Sequence, residues 1–141
     1  MKITSRFTVA LHTLLAIRTF GKDRKITSDF IASSVNVNPV VIRRTLLSLK
    51  AAGLIDVKAG SGGATLIKDT VDITLYDVYK AVDCIDGGMF HFHENPNLEC
   101  PVGKNIHTVL DSHLLAAQIA MENQLKSVTL ADLEKELSGL M

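Results

Sequence analysis

Residues 38–67 constrain the fold more than any other stretch, because a helix with clear start and stop signals runs straight into a glycine-turned hairpin. Asn38 is a strong helix N-cap, and Pro39 suits the first helical position, where its missing N–H costs nothing. The helix predicted from there runs to about Ala52. It places Ile42, Leu46 and Leu49 at i, i+4 and i+7 on one buried face. Gly53 ends it, since glycine enters the left-handed region without a Cβ penalty. Residues 54–58 and 64–67 then read as strands on either side of Ala59, Gly60, Ser61, Gly62 and Gly63. A glycine-rich turn also invites comparison with a phosphate-binding loop. Such a loop opens a helix, however, and this one opens a strand, so a nucleotide cradle is rejected.

Upstream, residues 4–20 form a predicted helix with an apolar stripe of Phe7, Ala10, Leu11, Leu14, Leu15 and Ile17, closed by Gly21. After a charged loop, Thr27 or Ser28 caps a short helix carrying Phe30, Ile31 and Val35, and residues 35–38 make a tight turn. Downstream, Thr74 is a cap for a short helix reaching Val82. Residues 83–102 carry no periodicity but hold Cys84, His91, His93 and Cys100. A loop of that length inside a small domain is usually functional or mobile, so it is the expected sensor segment. Residues 103–126 form the longest predicted helix. Its face of Ile106, Val109, Leu110, His113, Leu114, Ala117, Ala120, Met121 and Leu125 is too broad for one small domain to cover. A second copy of the chain is the natural cover, because twofold homodimers are the commonest oligomers. Ile106 to Met121 on that face are therefore the expected dimer contacts. Thr129, with Asp132 three residues on, starts a last helix expected to end at Leu137.

Length and composition support one such assembly. The 141 residues are 47% hydrophobic, without tryptophan, so an aliphatic core is expected. The fold class expected is mainly α with a small β-hairpin wing: a winged helix-turn-helix domain plus a long C-terminal dimerisation helix. Its organisation is residues 1–82 as DNA-binding domain, 83–102 as sensor loop, and 103–141 as dimerisation and C-terminal helices. No apolar run approaches bilayer length and the start lacks a signal-peptide pattern, so a cytoplasmic protein without a membrane partner is expected.

Formal net charge is zero, which at first argues against a nucleic-acid partner. The total conceals a division. Residues 1–68 carry eleven lysines and arginines against three acids, a net +8, and residues 69–141 carry four against twelve, a net −8. A basic half brings counterion release on DNA, which drives affinity independent of sequence. In the predicted order of elements, the helix opened by Asn38 is the recognition helix of a helix-turn-helix and the hairpin is its wing. Recognition helices read bases mainly with their N-terminal part, which nominates Asn38, Pro39, Val40, Val41, Arg43 and Arg44, with Lys50 farther along. Arginine suits bidentate contact with guanine or phosphate, and valine methyls can meet a thymine methyl.

Several stretches carry a more specific likeness. They are residues 5–12, 31–35, 38–44 and 49–55, the wing glycines Gly60, Gly62 and Gly63, residues 73–82, and the long helix followed by residues 129–133. On these the chain resembles the Rrf2 family of bacterial winged-helix regulators over nearly its whole length. The resemblance implies a homodimer crossed through the long helices that reads a palindromic double-stranded operator. It implies Ser5 and Arg6 near phosphates, residues 38–44 in the major groove, and Ser61, Gly62 and Gly63 at the minor groove; Thr27 and Ser28 are further DNA-binding candidates. Many relatives carry an arginine in the wing, and this chain does not.

Cluster-binding members of the family use three cysteines just before the dimer helix. Here only Cys100 stands there, with Cys84 sixteen residues earlier, and iron–sulfur clusters commonly take four ligands, so no cofactor is expected. His91, His93 and Cys100 could ligate zinc or copper, but solvated histidines beside Phe90 and Phe92 are the plainer reading, and no metal is expected. Cys100 ahead of a helix N-terminus is the candidate redox sensor, because that position lowers a thiol pKa. No nucleophile–base pair, convincing carboxylate pair or phosphate loop is present, so an enzyme is not expected. The competing function is a dimeric interaction or ligand-sensor module that binds no DNA.

Overall fold

The computed structural model describes residues 5–58, 63–82, 90 and 92–141. Helices α1 (Ser5–Phe20), α2 (Ser28–Val35) and α3 (Pro39–Ala51) come first. Strands β1 (Ile55–Lys58) and β2 (Gly63–Leu66) follow, then a 3₁₀ turn (Thr70–Asp72) and helix α4 (Leu75–Ala81). Helices α5 (Pro101–Lys126) and α6 (Leu130–Leu140) complete the chain. The two strands form an antiparallel hairpin with Ile55 opposite Leu66 and Lys58 opposite Gly63.

Local signals set most of these boundaries. The Thr27 hydroxyl accepts from Phe30 N at the start of α2, and Asn36 ends that helix in the left-handed region at φ 65°. The side chain of Asn38 accepts from Val40 N at 2.9 Å and opens α3. Gly53 (φ 78°) closes it: Gly53 N bonds Lys50 O and Leu54 N bonds Leu49 O, a Schellman turn that satisfies two orphan carbonyls. Thr74 with Asp77 and Thr129 with Asp132 form two complete capping boxes. They lie side by side, joined by Leu75 N to Val128 O and Leu130 N to Ile73 O.

The core is aliphatic, as composition requires. Leu14, Ile31, Ile42, Leu49, Ile55, Ile73, Val78 and Leu130 are buried at its centre. The expected buried face of α3 is present, widened by Thr45. On α1 the stripe is shifted: Thr13 and Ala16 are buried, while Leu11 and Leu15 are only half-buried. Helices α2, α3, α4 and α6 and strand β2 all meet α1, so it is covered on more than the one expected stripe. Helix α6 docks on α1 through Leu130 and through Arg18, whose Nε lies 3.0 and 3.1 Å from the two carboxylate oxygens of Glu134.

Several element ends differ from the sequence expectation: the strands run 55–58 and 63–66 rather than 54–58 and 64–67, and two helix ends move further. Helix α5 begins at Pro101 rather than at residue 103, with Cys100 as N-cap, because proline is favoured in a first helical turn. Helix α6 continues past Leu137 to Leu140: Gly139 stays helical, with open space around it.

Candidate nucleic-acid interface

Three elements build the surface that carries the nominated residues. Helix α3 buries Ile42, Thr45, Leu46 and Leu49, which turns Val40, Arg43, Arg44 and Leu47 outward. Val41 and Lys50 are exposed on its flanks, and Pro39 is half-buried at the start. Asn38 is exposed, with its carbonyl oxygen held by the cap. Arg43, Arg44 and Lys50 take part in no ion pair among the described residues, so their charges face solvent without local compensation.

Helix α3 and the hairpin enclose a cleft of about 490 Å³. Its polar lining is Thr27, Ser28, Arg43, Lys50 and Lys58, and its apolar lining includes the buried Ile26, Leu46 and Ala64 and the exposed Leu47. Among the described residues, three cations and no acid line it. The fold thus brings together Thr27, Ser28, Arg43, Lys50 and Gly63, which are scattered in sequence. Ser5 and Arg6 are exposed at the start of α1 and do not line this cleft. Ser61 and Gly62 of the wing, with Cys84 and His91, lie outside the described residues.

Sequence reasoning missed two residues of this surface. Lys58, the last residue of β1, supplies the cleft's third cation. The available signal was a lone cation ending a strand just before the glycine turn. Ile26 was taken only as loop, but it is buried, and its carbonyl accepts from Ala64 N at 2.9 Å. That bond ties the hairpin to the segment preceding α2. Gly63 sits at φ 77°, and a Cβ there would stand 2.9 Å from Ile26 N and 3.0 Å from Ile26 O. Glycine is needed both for the backbone angle and for the close approach.

The loop ahead of α5 has its own geometry. Cys100 is exposed, and the backbone N–H groups of Gly103 and then Val102 hold its thiol below the usual range, because they stabilise the thiolate. The ring of His93 lies 5.5 Å from that of His107, whose Nδ1 stands 3.0 Å from an Asp111 carboxylate oxygen. His107 on α5 is a neighbour the sequence did not suggest for His93. No group of three His, Cys, Asp or Glu side chains close enough to hold a metal occurs among the described residues.

Helix α5 has no buried residue along its 26 positions. Its C-terminal half meets its own domain: Met121 and Leu125 pack against the core, Glu122 accepts from the Tyr79 hydroxyl, and the Lys126 ammonium lies 4.6 Å over the Tyr76 ring. The other nominated positions are less covered. Val109, His113, Ala117 and Ala120 are exposed, while Ile106, Leu110 and Leu114 are intermediate. No described helix is long and apolar enough to cross a membrane.

Comparison with known proteins agrees with this architecture. The family model Rrf2, described as an iron-dependent transcriptional regulator, matches residues 3–136. YwnA of Bacillus subtilis (strain 168), named as an HTH-type transcriptional regulator, is 47% identical over 135 residues, covering 96% of this chain and 98% of its own. A solved structure titled a DNA binding protein is 43% identical, with a TM-score of 0.72, over 92% of this chain and 98% of that one. A transcriptional regulator from Lactobacillus plantarum is 27% identical, with a TM-score of 0.80, over 95% and 90%. Iron held by cysteines alone does not fit the donor set: the whole sequence contains two cysteines, and a cluster commonly takes four thiolates. By the match to nearly its full length and by its winged helix-turn-helix architecture, the chain belongs to the Rrf2 family.

Proposed function

We propose that this protein is a sequence-specific DNA-binding transcription regulator, a homodimeric repressor acting on a palindromic operator in the cytoplasm. The observation that carries the reading is the uncompensated cationic face of α3, continuous with a cleft whose three cations meet no acid. Arg43 and Arg44 leave the helix about 100° apart. One reads a base edge while the other lies along the backbone. Arg43, Lys50 and Lys58 hold the sugar–phosphate strand that runs between major and minor grooves. Two copies joined through α5 present two such faces, and a dimer filling its operator excludes other proteins from the same DNA. Cys100 gives this reading a thiol-sensing step: a peroxide transfers one oxygen to the exposed thiolate, its O–O bond breaking to release water or an alcohol, and the sulfenic acid formed at the start of the dimer helix lowers DNA affinity.

The test is titration of the purified protein against its own upstream promoter and a scrambled duplex, each at low and physiological salt. Preference for the promoter that survives salt supports the reading. Equal binding to both duplexes that vanishes with salt reduces the surface to a nonspecific polycation. No binding at low salt favours the interaction or ligand-sensor module instead. Replacing Arg43 and Arg44 together with Ala should abolish promoter preference and leave the oligomeric state unchanged. Loss of the dimer in that variant would make these arginines structural and overturn their assignment.

A further inference from the structure

The major groove offers one apolar group to a protein, the C5-methyl of thymine. Helix α3 turns an unusual amount of apolar surface toward solvent for a face with two arginines. Leu47 is 68% exposed, and Val40 and Val41 are exposed beside it. Leu47 is not part of the core face of α3. It lies seven residues from Val40, so both stand on one outward line, about 10 Å apart along the axis. Arg43 and Arg44 flank that line, and Leu47 also lines the cleft beside Arg43, Lys50 and Lys58. With 68% of its surface in water, Leu47 gains little from burial on folding. It contributes to binding only if the ligand brings an apolar group to it. Phosphates cannot do so, whereas a base-edge methyl can.

We propose that Leu47 and Val40 read thymine methyl groups. Each operator half-site then carries two thymines beneath α3, about three base-pair steps apart at 3.4 Å per step. The inference rests on the DNA-binding reading above and deepens it by naming the base class read. Burying one methyl-sized group against a side chain is worth about a three- to fivefold change in affinity.

The experiment uses the full chain. Bound sequences are first enriched from a random duplex pool. The enriched site is then resynthesised with deoxyuridine in place of each thymine in turn, which keeps base pairing and removes only the methyl. The expected result is a loss of about three- to fivefold at two positions of the half-site. Leu47→Ala should abolish sensitivity at one position and Val40→Ala at the other, with helix content unchanged because both side chains are exposed. Neutral behaviour of every deoxyuridine substitution, or full sensitivity retained in both variants, overturns the proposal while leaving specific DNA binding intact. Failure to enrich any sequence overturns the DNA-binding reading and this inference with it.

Discussion

Thr13 is fully buried on α1, and its hydroxyl has no hydrogen-bond partner among the described residues. A buried unsatisfied hydroxyl carries a desolvation cost, and valine has the same shape without it. Thr13→Val should raise stability by about 1 kcal/mol, read as a later midpoint in urea unfolding at unchanged slope. A destabilised variant would mean that the hydroxyl has a partner in solution. Cys100 is decided by two backbone N–H groups rather than by a neighbouring charge. The thiolate is the reactive form, and the thiol pKa is lowered. Alkylation of Cys100 in a Cys84→Ser background should therefore rise with pH through a midpoint below that of free cysteine, and slow as pH falls through it. A midpoint equal to free cysteine would remove the special character assigned to this residue.

At the scale of elements, the end of α3 and the hairpin depend on glycines for two different reasons, and they can be separated. Gly53 and Gly63 share a left-handed backbone, at φ 78° and 77°. A Cβ at Gly53 meets nothing, whereas one at Gly63 runs into the Ile26 backbone. Gly53→Ala should cost about 1 kcal/mol, the ordinary left-handed penalty. Gly63→Ala should cost about 2 kcal/mol or more and also weaken DNA binding, since it pries the hairpin from Ile26. Equal costs in chemical unfolding would mean that the Ile26 contact adds nothing. Helices α2, α3, α4 and α6 were legible because each begins with a side chain that caps it: Thr27, Asn38, Thr74 and Thr129. The start of α5 lies two residues before the position the sequence suggests, because cysteine is not a favoured N-cap residue and Pro101 was the only signal.

For the whole molecule, α5 poses the main energetic question. It is 26 residues long with none buried, and Val109 is 63% exposed. Val102, Val109 and Ala116 recur every seven residues, as do Ile106, His113 and Ala120, a spacing that suits a facing helix. The native protein should sediment at twice its chain mass of 15.3 kDa. Val109→Glu should shift it toward the monomer without loss of helix, because Val109 lies outside this chain's own core. A native protein already monomeric at micromolar concentration would remove the homodimer from the proposed function.

The sequence by itself determined the order of elements, the caps, the buried face of α3 and the division of charge. All of these follow from periodicity, local hydrogen bonding and counting, which act over a few residues. Only the tertiary structure decided that Lys58 joins Arg43 and Lys50 in one cleft, that Ile26 anchors the hairpin at Ala64, and that Thr13 is buried while Leu11 is only half-buried. These depend on which segments meet in space. The approach of residues 63 and 64 to residue 26, and the shared cleft of residues 43 and 58, leave no trace in local spacing, because the packing of the hairpin against α3 and against the segment before α2 sets them.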